Sequence, residues 1–119
     1  EANGDMIRRA RENFARAGLA DRVNLEEGDA EAVLSELSGP FDLVFLDIDK
    51  PAYARVLPGI HKVLRVGGLL VADNTAFAMA HKFNRLLFTH PGFESVQLYT
   101  FLPGHSPEDD GIAIAAKTR

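Results

Sequence analysis

Phe41-Asp42-Leu43-Val44-Phe45-Leu46-Asp47-Ile48-Asp49-Lys50 is an apolar run that stops abruptly in acids and an amine. A second run, Gly67-Gly68-Leu69-Leu70-Val71-Ala72-Asp73-Asn74, ends in the same way. Stretches rich in Val, Leu, Ile and Phe, bounded by Gly and Pro, predict strands buried on both faces of a parallel sheet. Such sheets bind ligands outside the carboxyl ends of their strands. The two strands therefore bring Asp47, Asp49, Lys50, Asp73 and Asn74 to one edge. Hard oxygen donors beside an amine are what is needed to hold a divalent cation and to steer a proton next to it.

Upstream of this pair, Met6, Ile7, Ala10, Phe14 and Ala17 recur at helical spacing, with Asn3 or Asp5 as the cap and Gly18 as the stop. Residues 22–27 alternate like a short strand that ends at Gly28-Asp29. Val33, Leu34 and Leu37 then mark a brief helix closed by Gly39-Pro40. Downstream, the pattern predicts a helix over 51–64, with Pro51 in its first turn and Pro58 bending its middle. Gly67 and Gly68 open the second strand. A helix follows over 75–89, with Phe77, Phe83, Leu86 and Leu87 turned inward. Residues 93–101 and 112–116 are the last strands, an antiparallel hairpin around a loop rich in Pro, Gly and Asp. With no repeat and no linker, the alternation predicts a single α/β domain over 1–119.

Composition sets outer limits on function. A chain of 119 residues, 46% hydrophobic and 25% charged, matches one globular domain with one modest core. Its net charge is -4 and its 13 Lys and Arg are scattered, which argues against nucleic acid as a partner. No apolar run approaches the ~20 residues of a membrane span. No signal-peptide pattern opens the chain, and without Cys there is no disulfide framework. The expectation is a cytoplasmic protein that engages neither membrane nor nucleic acid.

The joint pattern, Leu-Asp-x-Asp-Lys at 46–50 and Ala-Asp-Asn at 72–74, resembles the metal-dependent O-methyltransferases that use S-adenosylmethionine, of the catechol and caffeoyl-CoA type. The resemblance runs over nearly the whole chain and is strongest over 1–74. It implies a Rossmann-like methyltransferase sheet, mostly parallel, with a C-terminal antiparallel hairpin. It further implies that Glu1 holds the cofactor ribose, that Gly28, Asp29 and Ala30 line the adenine, and that Asp47 also borders the cofactor. Asp47, Asp73 and Asn74 correspond to the metal ligands, for Mg²⁺ in the first place, and Lys50 to the lysine beside the reacting hydroxyl. The implied acceptor is a small phenol or catechol.

The chemistry agrees with that assignment. A phenol has a pKa near 10, so it is a poor nucleophile at neutral pH, and a coordinated divalent cation lowers that value. Lys50 assists deprotonation if burial lowers its own pKa. Alignment of the sulfonium methyl with the oxyanion does the rest. Each residue also has a plainer role: Asp29, Asp49, Asp73 and Asn74 all suit helix caps, and Glu1 suits solvated surface. His61, His81, His90 and His105 show no ligand spacing and suit surface or helix-end positions. Glu108, Asp109 and Asp110 suit a solvated loop.

The family's first strand and glycine-rich turn have no counterpart in these residues, so the expected sheet is truncated at its N-terminal side. That leaves 22–27 apart from the Phe41 strand, with the gap to be filled by upstream residues, by direct pairing of the two strands, or by strand exchange between copies in a homo-oligomer. The family's substrate-covering loop after Asn74 is also short here. Two alternatives stand beside the enzyme: a non-catalytic, self-associating remnant of the fold, and a receiver-type domain in which Asp47 accepts a phosphoryl group.

Overall fold

The computed structural model describes residues 1–104 and 107–119, so His105 lies outside the described residues. The chain divides into two compact units, Glu1–Leu37 and Ser38–Arg119.

The first unit holds two helices. α1 spans Gly4–Arg16, and its N-terminal amides at Asp5 and Met6 are met by the Asn3 side chain, which settles the choice of cap. It ends at Ala17, and Gly18 takes the positive φ of +68° that lets the chain turn away. α2 spans Ala30–Glu36 and is capped by Asp29, whose carboxylate accepts from the amides of Glu31 and Ala32. The strand expected over 22–27 is not part of any described sheet. Glu1 lies alongside it: the Glu1 nitrogen donates to Glu26 O at 3.0 Å, and Gly28 N donates to Glu1 O at 2.9 Å. Those two bonds bracket Glu27 in the pattern of a single parallel bridge.

The second unit is a four-stranded sheet in the order β1-β2-β4-β3, where β1 is Phe41–Leu46, β2 Leu64–Ala72, β3 Phe93–Phe101 and β4 Asp109–Lys117. β1 and β2 run parallel, joined by a 3₁₀ turn at Lys50–Ala52 and helix α3, Tyr53–Val63, which contains Pro58. β4 lies antiparallel to both β2 and β3, so the last two strands form the expected hairpin. β2 starts earlier than its glycines suggest. Gly67, at φ +76°, and Gly68 sit inside it, where the register with β1 slips between Phe41 and Leu43. A Cβ on Gly68 would come within 2.9 Å of Arg65 O, so the irregularity needs a glycine there.

After β2 the chain does not run straight into a helix. A 3₁₀ turn at Ala78–Ala80 precedes α4, His81–Phe88. Phe83 and Leu87 are buried as expected, but Leu86 is exposed, because an eight-residue helix has room for only a narrow inward stripe. Tyr53, Val56, Leu57, Ile60, Phe83 and Leu87 bury themselves with Leu46, Leu70, Ala72, Ala113 and Ala115, which share one sheet face by register. Leu43, Phe45, Leu69, Val96 and Leu98 share the opposite face and are all exposed.

His61 and His90 stand at helix ends, as expected, and they also meet each other. Their rings stand 4.8 Å apart and both meet Phe93, joining the end of α3 to the turn between α4 and β3. His61 Nε2 lies 2.8 Å from Arg119 O, and Gly92 N donates to His90 Nδ1 at 3.0 Å. His81, by contrast, is exposed at the start of α4.

Candidate functional site

Leu46 and Ala72 are register partners at the carboxyl ends of β1 and β2. Asp47 and Asp73, one residue further on, therefore leave the sheet side by side. The two ends are fastened together, since Asp73 N donates to Leu46 O at 3.0 Å. The Tyr53 hydroxyl reinforces this, lying 2.8 Å from Leu46 O and 3.1 Å from Asp73 O. Tyr53 is wholly buried, its ring edge-on to Phe83 at 5.2 Å. Burial pushes its phenol pKa up, so the group stays a neutral donor. In sequence Tyr53 looks like another apolar helix residue; its position three residues after Lys50, one turn along, was the available signal.

Lys50 sits among these groups. Its Nζ donates to Asp47 Oδ1 at 2.9 Å, to Tyr53 OH at 3.2 Å and to Ile48 O at 3.3 Å. Its side chain is 11% exposed, against 52% for Asp47. Burial pulls the Lys50 pKa down, but the bonds to Asp47 and Tyr53 together outweigh it, and the net shift is upward. The condition under which Lys50 would assist deprotonation, a lowered pKa, is thus not met in this arrangement, because its partners lie within bonding distance and favour the ammonium form.

Asn74 takes a left-handed turn, φ 51°, directly after Asp73. Its own amide donates to Asp73 Oδ1 at 2.9 Å, and its side-chain nitrogen donates to Asp110 Oδ2 at 2.9 Å. With the NH₂ group committed, the side-chain oxygen is the atom left for a ligand. Neither Asp73 nor Asn74 caps a helix, since the next one begins at Ala78 without a side-chain cap. Asp49 makes no capping bond through its side chain either. Asp110 was expected in a solvated loop, yet it is only 7% exposed, because β4 begins at Asp109 and carries it inside.

Asp47 and Asp73 thus follow register partners at the parallel strand ends, with Asn74 next in the chain, and two carboxylates and an amide oxygen are a hard-oxygen set that suits a divalent cation with open coordination positions. No three His, Cys, Asp or Glu side chains form a metal cluster among the described residues; the third donor here is an asparagine. In the first unit, Glu1, Gly28, Asp29 and Ala30 come together through the Gly28–Glu1 bond. The Asn3 amide, donating to Glu1 Oε1 at 2.9 Å, holds the Glu1 carboxyl below the usual range, so it is an ionised acceptor suited to a ribose diol.

A parallel β-α-β step with acids at its carboxyl edge, followed by an antiparallel hairpin, defines the class as a Rossmann-like α/β fold of the methyltransferase type. The chain is 26% identical to an O-methyltransferase from Bacillus cereus solved in complex with SAH, at a TM-score of 0.88, with 99% of this chain and 60% of that one covered. The SAH-bound methyltransferase PaMTH1 of Podospora anserina is 26% identical, with a TM-score of 0.83 and coverage of 100% and 59%. The O-methyltransferase family profile matches residues 1–81, and the chain belongs to that family.

Among curated relatives, a catechol O-methyltransferase of Niastella koreensis is 41% identical over 124 residues, covering 89% of this chain and 55% of the relative. A catechol O-methyltransferase of Mycobacterium tuberculosis is 36% identical over 105 residues, covering 76% and 48%. The chain spans about half the length of these curated relatives.

Proposed function

We propose that the chain supplies the acceptor-activating part of an S-adenosylmethionine-dependent O-methyltransferase that acts on a hydroxyl of a small phenol or catechol. The observation that supports this is the placement of Asp47 and Asp73 directly after register partners on two adjacent strand ends, with the Asn74 amide next and its nitrogen bonded to Asp110. In this proposal those three residues hold a divalent cation, Mg²⁺ in the first place. Glu1 takes the cofactor ribose, and Gly28, Asp29 and Ala30 line its adenine.

A bound divalent cation supplies a lowered pKa to a coordinated hydroxyl. The remaining work falls to the chain's own groups. Tyr53 keeps the two strand ends in register through Leu46 O and Asp73 O. Lys50, charged and tethered by Asp47 and Tyr53, offers a positive charge that stabilises a developing oxyanion. The bonds to Asp47 and Tyr53 favour the protonated form of Lys50, so its first role in this proposal is to supply positive charge rather than to accept a proton.

The test is calorimetric titration of Mg²⁺ into the 119-residue chain and into Asp73→Ala and Asn74→Ala. Loss of binding in both variants supports the assignment, and unchanged affinity in both refutes it. Titration of S-adenosylmethionine into the same chain, with Glu1→Ala for comparison, examines the cofactor part.

A further inference from the structure

Asp110 is a nearly buried carboxylate on the second residue of β4, and no lysine or arginine pairs with it among the described residues. A buried carboxylate without a cation needs its charge met by hydrogen-bond donors. Its Oδ1 accepts from Gly111 N at 2.6 Å and its Oδ2 from Asn74 Nδ2 at 2.9 Å. The next residue completes the attachment, as Thr75 N donates to Gly111 O at 2.8 Å. The start of β4 therefore grips the turn after β2 at both side chain and main chain.

An amide can present either its oxygen or its NH₂ group to a neighbour, and the two ends differ little in shape. A carboxylate only accepts, so Asp110 admits a single orientation, with the Asn74 nitrogen inward and its oxygen directed away. The negative charge behind the amide also polarises it and makes that oxygen a stronger donor to a cation.

We propose that Asp110 is the positioning residue that orients the Asn74 amide so that its oxygen is offered to the divalent cation. The inference rests on the metal assignment made above. An asparagine at 110 would give one donor an oxygen and face the other with NH₂. Asn74 would then turn its own oxygen inward and show nitrogen to the cation, which cannot bind it.

The experiment titrates Mg²⁺ alone into the wild-type chain, Asp110→Asn and Asp73→Ala, with the Asn74 side-chain amide followed by NMR. The expected result is a Mg²⁺ affinity about 10–100-fold weaker in Asp110→Asn, the range seen when a ligand loses its orienting partner. The Asn74 amide resonances should also lose their response to Mg²⁺ in that variant. Affinity within about twofold of wild type in Asp110→Asn, with binding lost in Asp73→Ala, would overturn the role of Asp110 while leaving the metal assignment intact. Unchanged affinity in Asp73→Ala would instead remove the metal assignment. If Asp110→Asn does not fold, the wild-type chain decides: exchange-protected Asn74 amide protons that shift with Mg²⁺ support the inference, and unprotected or unmoved ones overturn it.

Discussion

Tyr53→Phe deletes one oxygen at the point where the two functional strand ends are tied together. The ring stays, and with it the edge-on contact to Phe83 at 5.2 Å, so packing is nearly unchanged and the loss is polar. Three groups lose a partner. Leu46 O keeps Asp73 N at 3.0 Å, whereas Asp73 O loses the hydroxyl, and the Lys50 ammonium retains only Asp47 and Ile48 O. One neutral buried bond and one partly buried charged bond give a cost of about 2 kcal/mol. At an m-value of roughly 1.5 kcal/mol/M in urea, the unfolding midpoint should fall by about 1 M with the slope unchanged. Urea unfolding followed by circular dichroism measures this. A fall of less than about 0.3 M would mean that water replaces the hydroxyl at little cost, and that Tyr53 does not fasten the strand ends.

Asp47→Asn removes the charged partner of Lys50 and leaves burial opposed mainly by the Tyr53 hydroxyl, so the Lys50 pKa should drop. NMR titration of the Lys50 side chain reads this, and an unmoved or raised value would contradict it. His90 contributes a pH dependence just below neutrality. Burial, assisted by neighbouring His61, lowers its pKa below the ordinary 6.5, so the folded chain binds fewer protons there than the unfolded one. Stability from this group is full above about pH 6.5 and declines as the pH falls below it. Protonation at Nδ1 would also cancel the bond from Gly92 N. His90→Asn keeps a short acceptor for Gly92 N without the titration, so its unfolding midpoint should vary less with acidification than that of the wild type. Equal slopes would place the acid sensitivity elsewhere.

The sheet edge was legible because both strands announce themselves twice, by an unbroken apolar run and by the abrupt acids that end it. Parallel pairing of Leu46 with Ala72 then turns two distant sequence positions into neighbours. The same rule misplaced Asp110. Three acids in a row after a Pro- and Gly-rich stretch have the composition of a loop, and only pairing with Thr100 and Phe101 of β3 draws Asp109 and Asp110 into the sheet. Tyr53 was hidden for a different reason: its ring obeys the apolar pattern of α3, and nothing in a one-dimensional pattern shows where a hydroxyl points. The protonation of Lys50 was likewise beyond sequence, since it depends on which of two opposed effects prevails at particular distances. Residues 22–27 carry a strand's alternation, but alternation supplies no partner strand, and among the described residues the parallel bridge stops at Glu1.

The exposed apolar row of Leu43, Phe45, Leu69, Val96 and Leu98 has a thermodynamic signature. Heat capacity rises on unfolding because apolar groups become hydrated, by roughly 12–15 cal/mol/K per residue in ordinary domains. Side chains already in water when the chain is folded add nothing to that increment. The heat-capacity change of this chain should therefore be small for its length and its stability curve unusually flat, with cold and heat denaturation both approached gradually. Were a second copy to cover the row, the missing increment would reappear as the concentration is raised, tying the curvature of a calorimetric trace to the state of one sheet face.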